Sequence, residues 1–346
     1  MKIMGIDIGG ANTDISIAQI EENDVEIIEN EKKYIPMWKN RKKLRTYLKT
    51  LNKKEIDVIC ATITAELSDT YTTKKEGIAD ITKTLIQEFP QSKIKFVTHD
   101  GLQDYTYTQE NPLKVAAQNW VATLNLVKHI QKDCIFIDMG TTTTDIIPIK
   151  NSQKATPYYT DLDRLIHGEL VYTGMLRTNL ATITQTLNYQ EHDTPLASEL
   201  FAITADMHIV LENITPQQYT CNTPDNKGKD TLSCKRRISR LLCADLDMLN
   251  DEDITSITTQ LYNAQKEQIK SGLKKVTEKT DLKDVVITNY ADCKITEEVA
   301  EDLGLNTHQI TDYLTTEKSN VSTTIGAIQM YLEEEYPNIK AIIYNN

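Results

Sequence analysis

The chain has 346 residues, 40% hydrophobic and 25% charged, an ordinary globular composition that excludes disorder, a collagen-like repeat or a coiled coil as the overall architecture. Its formal net charge of −12 leaves no surplus of cations to neutralise a phosphate backbone, so nucleic acid is not expected as a partner. No run approaches the ~18 uninterrupted apolar residues of a membrane helix, and the six cysteines form no C-x-x-C pair, which points to a cytoplasmic protein with reduced thiols and no membrane contact.

Residues 2–8 read as a short apolar strand ending at Gly9 and Gly10, with Asp7 inside it, unlike a signal peptide. Alternation over residues 14–18 gives a second strand, so residues 9–13 are expected to form a tight hairpin connection. Residues 25–29 offer a third strand. A basic helix is predicted over about 41–51, a buried strand over 57–61, an amphipathic helix over 75–89, a strand over 93–98 and a helix over 114–130. The opening then recurs: residues 134–138 form an apolar strand ending in Asp138, Gly140 and a run of threonines follow, and a strand resumes over 145–149. From about 165 to 273 the pattern is mostly helical, with a polar loop near 222–230. A late strand over 285–288 and helices over 295–303 and 321–334 complete the chain.

A whole hairpin motif repeated at Asp7 and at Asp138 implies a duplicated architecture. In the first copy, Gly9 and Gly10 permit positive φ and close backbone approach to a ligand, and successive N–H groups in such a turn make an anion-binding concavity. Asn12 and Thr13 add donors suited to phosphate oxygens, and Asp14 closes the motif. Asp7 would repel phosphate directly but can hold a hydrated Mg²⁺, which usually binds one or two carboxylates together with phosphates. The second copy offers Asp138 as the acid, Gly140, Thr141, Thr142 and Thr143 around the turn, and Asp145 at its end. Either loop alone could be a surface hairpin that needs Gly and Asp for its turn. The pair together points to a phosphate or diphosphate site, without saying which phosphate.

These paired hairpins resemble the two phosphate loops of the sugar kinase, Hsp70 and actin superfamily, and within it the chain is most similar to the hydantoinase A/oxoprolinase branch. The segments 64–69, 74–77, 115–120, 168–178 and 221–245 resemble a narrower family, labelled as tetrahydromethanopterin-linked one-carbon-pathway proteins. Its archaeal members include a methanofuran-biosynthesis synthase that joins an aminomethyl-furan methyl diphosphate to γ-glutamyltyramine. The resemblance spans about residues 1–335. It implies a two-lobed, duplicated α/β fold of the actin/Hsp70/sugar-kinase (ribonuclease H-like) type with the ligand in the interlobe cleft. It further implies a first lobe of residues 1–113 plus 320–346, and a second lobe of 114–319 with a helical insertion. Kinases and chaperones of the superfamily carry a glycine-rich, adenosine-contacting turn after a late strand. Here that strand is followed by Asn289, Tyr290, Ala291 and Asp292, whose side chains would crowd a nucleobase. ATP is therefore disfavoured and an organic diphosphate favoured.

The implied reaction is an alkyl transfer in which a phenol oxygen attacks a furan-methyl carbon and diphosphate leaves. Its main demand is charge neutralisation on the leaving group, which Mg²⁺ near Asp7 and Asp138 and donors at Thr13, Thr141, Thr142 and Thr143 would meet. The phenol, with an ordinary pKa of about 10, would be helped by a base, and Glu66 and Glu169 are the candidates for that role. Either acid could instead orient a loop, or pair with Lys74 or Arg177. The histidines show no zinc-site spacing. Lys227, Lys229, Lys235, Arg236 and Arg237 could meet an anionic substrate or simply start a solvated helix. An ATP-dependent kinase or hydrolase, and a non-catalytic phosphate-binding scaffold, stand as the alternatives to the transferase.

Overall fold

Strands β1 (Lys2–Gly9) and β4 (Val58–Thr64) are apolar on both faces, the pattern of strands covered by helices on either side, and they pair in parallel at the centre of the first sheet. β2 (Asn12–Glu21) and β3 (Asp24–Tyr34) extend the sheet antiparallel on one side, and β5 (Lys93–Thr98) and β6 (Gly101–Gln103) extend it on the other, in the order β3-β2-β1-β4-β5-β6. β3, rich in Glu and Lys and largely exposed, makes a charged edge. The computed structural model describes residues 1–22, 24–288, 290–291, 293–339 and 341–342. Its contacts divide the chain into two units, residues 1–133, 149–161 and 310–346 in one, and 134–148 and 162–309 in the other.

In the first unit, α1 (Met37–Asn40) leads into α2 (Lys42–Asn52), whose Leu44, Leu48 and Leu51 join Ile78, Ile81 and Leu85 of α3 (Lys74–Glu88) over Ile6, Ile8 and Ile59. The hairpin between β1 and β2 is shorter than expected: only Gly10 and Ala11 lie between the strands. The predicted helix over 114–130 is broken. After α4 (Tyr105–Glu110) and a turn at Pro112–Lys114, Ala116 pairs in parallel with Ile63 and Ala117 takes a left-handed backbone (φ 55°). Only then does α5 (Asn119–Val127) begin. The cause is tertiary: β5 last pairs β4 at Ala61, so Ala116 serves as the neighbour of β4 two residues further on.

The second unit repeats the plan with β7 (Cys134–Met139), β8 (Thr144–Lys150, whose end pairs the short β9, Gln153–Lys154), β10 (Leu170–Val171), β13 (Asp284–Thr288) and β14 (Asn306–Gln309). Its sheet runs β10-β8-β7-β13-β14, with β13 parallel to both β7 and β14, and Val285 and Ile287 pack beneath Ile269, Leu273 and Val276. Short helices α6 (Asp161–His167), α7 (Thr204–Val210) and α8 (Thr231–Ser239) precede the 30-residue α9 (Asp251–Thr280), which starts in a reciprocal capping box between Asn250 and Asp253. Between them lies a feature the helical pattern missed, a hairpin of β11 (Thr186–Tyr189) and β12 (His192–Pro195). Its two turn residues, Gln190 and Glu191, are both left-handed without being Asn or Gly, so the usual turn signal is lacking. Gln260 of α9 pins it by bonding both the N–H and the C=O of Asn188.

Helix α10 (Ile295–Asp302) packs on α9, and α11 (Thr316–Ser319) leads into α12 (Ser322–Glu335) of the first unit. Gly5 and Gly326 let α12 lie against β1 and α5, since a Cβ at either would stand 2.0 Å from a backbone oxygen, of Thr324 and Ala122 respectively. Among the described residues, no helix is long and apolar enough to cross a membrane.

Candidate active site

The acids of the two hairpins end their strands in the same way. Asp7 stands opposite Thr62 in the parallel β1–β4 register, and the Thr62 hydroxyl donates to Asp7 Oδ1 at 2.7 Å. Asp138 stands opposite Thr288 in the parallel β7–β13 register, and Thr288 donates to Asp138 Oδ1 at 2.6 Å. Neither threonine stands out in the sequence, because each meets its acid only through pairing with a strand far away in the chain.

In the first hairpin, Asp7 also faces Asp14 across the antiparallel register. Burial pushes the Asp7 carboxyl up to about 7 against the lowering effect of the Thr62 bond, and the charges of Asp14 and Glu66 add to the rise. Burial likewise raises Asp14, against the pull of Lys32, whose Nζ is 3.5 Å from Oδ2. Two buried atoms here lack any hydrogen-bond partner, Asp14 Oδ1 and the hydroxyl of the fully buried Thr13. The expected left-handed glycines are not how the turn works: among the described residues, the glycines with positive φ are Gly101, Gly168 and Gly304. Gly9 is instead needed for space, since a Cβ there would meet Asn12 O at 2.8 Å, while a Cβ on Gly10 would meet nothing within 4 Å. The turn is tied down through the carbonyls of Gly10 and Ala11, which accept from the N–H groups of Met37 and Ile35.

Glu66 follows β4 and is 2% exposed, its Oε1 3.3 Å from Lys74 Nζ. Lys74 reaches Asp161 at the same distance, and the second Glu66 oxygen, Oε2, is buried without a partner. Burial raises the Glu66 carboxyl and the Lys74 cation opposes the rise. Gly77 lets the first turn of α3 rest on the Glu66 backbone, where a Cβ would come within 2.6 Å.

The second hairpin is braced differently. Gly140 N–H bonds Thr143 O, and the chain at 175–177 grips the turn: Met175 N–H bonds Gly140 O, and the N–H groups of Leu176 and Arg177 both bond Thr141 O. Gly174 makes room for this, since a Cβ there would fall 2.6 Å from the Thr142 backbone. The hydroxyls of Thr141 and Thr142 lie 3.4 Å apart, and Arg177 Nη1 donates to Thr142. Asp145 is bound at 2.5 Å by Arg164, which is 1% exposed and also donates to the Glu169 carbonyl. Glu169 is enclosed in the same fold of chain, where its backbone N–H and C=O are both bonded.

Other sequence candidates resolve as scaffold. Arg237 is fully buried, with Asp206 2.7 Å from its guanidinium and Asp225 at 3.0 Å, so this member of the basic cluster holds α8 in place. Trp120 is 3% exposed. The residues expected to replace the adenosine turn include Asn289 and Asp292, which lie outside the described residues.

As a cation site, the first hairpin fits in one respect: Asp14 Oδ1 is a buried acceptor with no donor, near the Asp7 carboxyl. Among the described residues, no group of three or more His, Cys, Asp or Glu could hold a metal by itself, so a cation would have to share phosphate or water ligands.

A family model for hydantoinase/oxoprolinase matches residues 57–327. The chain is 42% identical over 295 residues to a (4-{4-[2-(γ-L-glutamylamino)ethyl]phenoxymethyl}furan-2-yl)methanamine synthase of Methanocaldococcus jannaschii, covering 84% of this chain and 87% of that protein. It is 42% identical over 165 residues to a protein of the same name from Methanococcus vannielii, covering 48% of this chain and 74% of that one. Among solved structures it resembles nucleotide-free acetone carboxylase (TM-score 0.58, 9% identity, 94% of this chain and 70% of that one). A putative N-acetylmannosamine kinase from Listeria monocytogenes matches at a TM-score of 0.52, with 12% identity over 97% of this chain and 100% of that one. Hexokinase from Schistosoma mansoni with glucose matches at 0.51, with 10% identity over 95% of this chain and 84% of that one. The fold is thus the duplicated α/β fold of the sugar-kinase type, and the chain belongs to the hydantoinase/oxoprolinase family, in the group of these furan-methanamine synthases.

Proposed function

We propose that this protein is a cytoplasmic transferase of methanofuran biosynthesis. It joins the furan-methyl carbon of an aminomethyl-furan methyl diphosphate to the phenol oxygen of γ-glutamyltyramine, releasing diphosphate. The observation that carries the reading is the 42% identity, over 87% of its length, to a synthase whose product name contains that aryl ether.

In this reaction the C–O bond to diphosphate breaks, the phenol oxygen bonds to the same carbon, and the phenol proton passes to a base. The furan ring can share positive charge developing at the carbon, so the protein's task is to accept a departing anion and a proton. Each hairpin taken by itself offers donors suited to phosphate oxygens: Thr13, with its buried hydroxyl uncommitted, in the first, and Thr141, Thr142 and Arg177 around the second turn. Mg²⁺, when bound, would neutralise charge on the leaving group, with Asp7 and Asp14 as the acids of the first hairpin that would hold it and Asp138 as the corresponding acid of the second hairpin. Glu66 is taken as the base, because its Oε2 is buried and uncommitted and burial raises its carboxyl.

Incubation with both substrates tests the reading: ether product and diphosphate are expected in equal amounts, and the absence of both overturns it. Diphosphate with Mg²⁺ is expected to raise the thermal midpoint more than ATP does. The reverse order, together with ATP hydrolysis, would favour the kinase or hydrolase alternative.

A further inference from the structure

Gln118 lies where Ala116 has taken the place of β5 beside β4, at the helix start immediately after the left-handed Ala117. It is 2% exposed. Its Nε2 donates to two backbone carbonyls, Ala116 O at 2.9 Å and Tyr159 O at 3.2 Å. Only the NH₂ end of an amide can serve two carbonyls, so the orientation of the side chain is fixed by its neighbours. The other end, Oε1, is buried and has no hydrogen-bond partner. A buried acceptor left unsatisfied is costly, and a glutamine held by two anchors cannot turn to relieve it.

The surroundings tie Gln118 to the segments that carry Glu66 and the first hairpin. Ile63, which pairs with Ala116, is three residues before Glu66, and Thr64 pairs with Gly9 of the first hairpin. The segment 159–161 is held at one end by Gln118, through the Tyr159 carbonyl, and at the other by Lys74, through Asp161; Lys74 in turn pairs with Glu66. Tyr159 also stacks with His99 (ring centroids 4.6 Å apart) and Trp120 (6.2 Å), so flat rings stand next to the amide.

We propose that Gln118 contacts substrate, its Oε1 accepting a hydrogen bond from an O–H or N–H donor of the bound small molecule. The diphosphate cannot fill this role, since its oxygens only accept. Of the substrates' donors, the phenol hydroxyl of the acceptor and the ammonium of the aminomethyl-furan lie nearest the reacting atoms, whereas the amide N–H and α-ammonium of the γ-glutamyl group lie at the far end. Gln118 is assigned to one of the first two, and this inference rests on the reaction proposed above.

The experiment has two arms, each run on the wild type and on Gln118→Met, which keeps the volume and removes both polar ends. In one arm, competitive inhibition by the γ-glutamyl amide of phenethylamine, which lacks the hydroxyl, is compared with the affinity for γ-glutamyltyramine. In the other, kcat/KM for furan-methyl diphosphate without the aminomethyl nitrogen is compared with that of the full substrate. The wild type is expected to prefer the complete molecule by about tenfold or more in one arm, and Gln118→Met to lose that preference. If Gln118 only braced the 159–161 segment, the variant would weaken complete and truncated molecules equally, and the preference would survive. A surviving preference overturns the inference, and so does a wild type indifferent to both deletions, whether or not the variant folds. A wild type that forms no ether from the complete pair overturns the reaction itself and this inference with it.

Discussion

Asp14, which ends the first hairpin motif, has an exposed lysine for its ion-pair partner and one oxygen with no partner; Asp145, its counterpart in the second, is bound by the buried Arg164. The turns differ in the same sense. The first is tied down by two hydrogen bonds through its carbonyls and leaves the Thr13 hydroxyl uncommitted, whereas the second is held by the three N–H groups of 175–177 packed over Gly174. One duplicated plan has therefore been finished in two ways, one copy keeping unsatisfied buried groups and the other stiffened by its own chain. Unsatisfied buried groups cost stability and are kept where they have a partner to meet.

The comparison can be broken most decisively at the acids the copies share. Asp7→Ala and Asp138→Ala are each expected to lower turnover about 10²–10³-fold while circular dichroism stays native. Full activity in both would remove the acids from the chemistry. Glu66→Gln should cost about 10²-fold and change the pH profile. Burial raises this carboxyl, so its basic form appears only as pH climbs past the ordinary carboxylate range. Wild-type turnover should therefore fall on the acid side at a higher pH than an exposed glutamate would give, and the variant should lose that limb. Asp14→Ala and Asp145→Ala separate the two finishes: the first should lose roughly 10-fold in turnover with little change in stability, and the second about 3 kcal/mol in denaturant unfolding, because the buried Arg164 cation loses its bond to the Asp145 carboxylate. Equal stability losses would mean the copies are finished alike. Smallest are the glycines. Gly174→Ala should cost ~2 kcal/mol by pressing on the Thr142 backbone, and Gly10→Ala should be close to neutral.

Much of this was legible in the sequence, and the limits follow from how each feature is encoded. The strand–acid–turn–strand motif is local, so both copies could be read directly, as could α2, α3 and β5. Thr62 and Thr288 could not, because each meets its acid only through a parallel register 55 or 150 residues away. Gln118 was visible only as part of a motif. Its meaning depends on Ala116 leaving the helical pattern to pair with Ile63, a tertiary demand that outweighs the apolar spacing of 114–130. Gly9 and Gly10 were read for positive φ and close backbone approach; Gly9 does not use the first and instead supplies room for neighbouring backbone, and Gly174, which the hairpin motif does not reveal, does the same for the second turn. The hairpin at 186–195 escaped notice because its left-handed turn is made by Gln190 and Glu191.

On the proposed reading, the pairing of Asp7 with Thr62 makes strand alignment itself a determinant of reactivity. Sliding β4 by one position would set Ala61 or Ile63 opposite the acid, strip the carboxylate of its hydroxyl and leave its direction undefined, although the sheet would keep nearly all its backbone bonds. Mutations in α3, which packs on this sheet, would thus silence the enzyme without touching any group proposed to meet substrate.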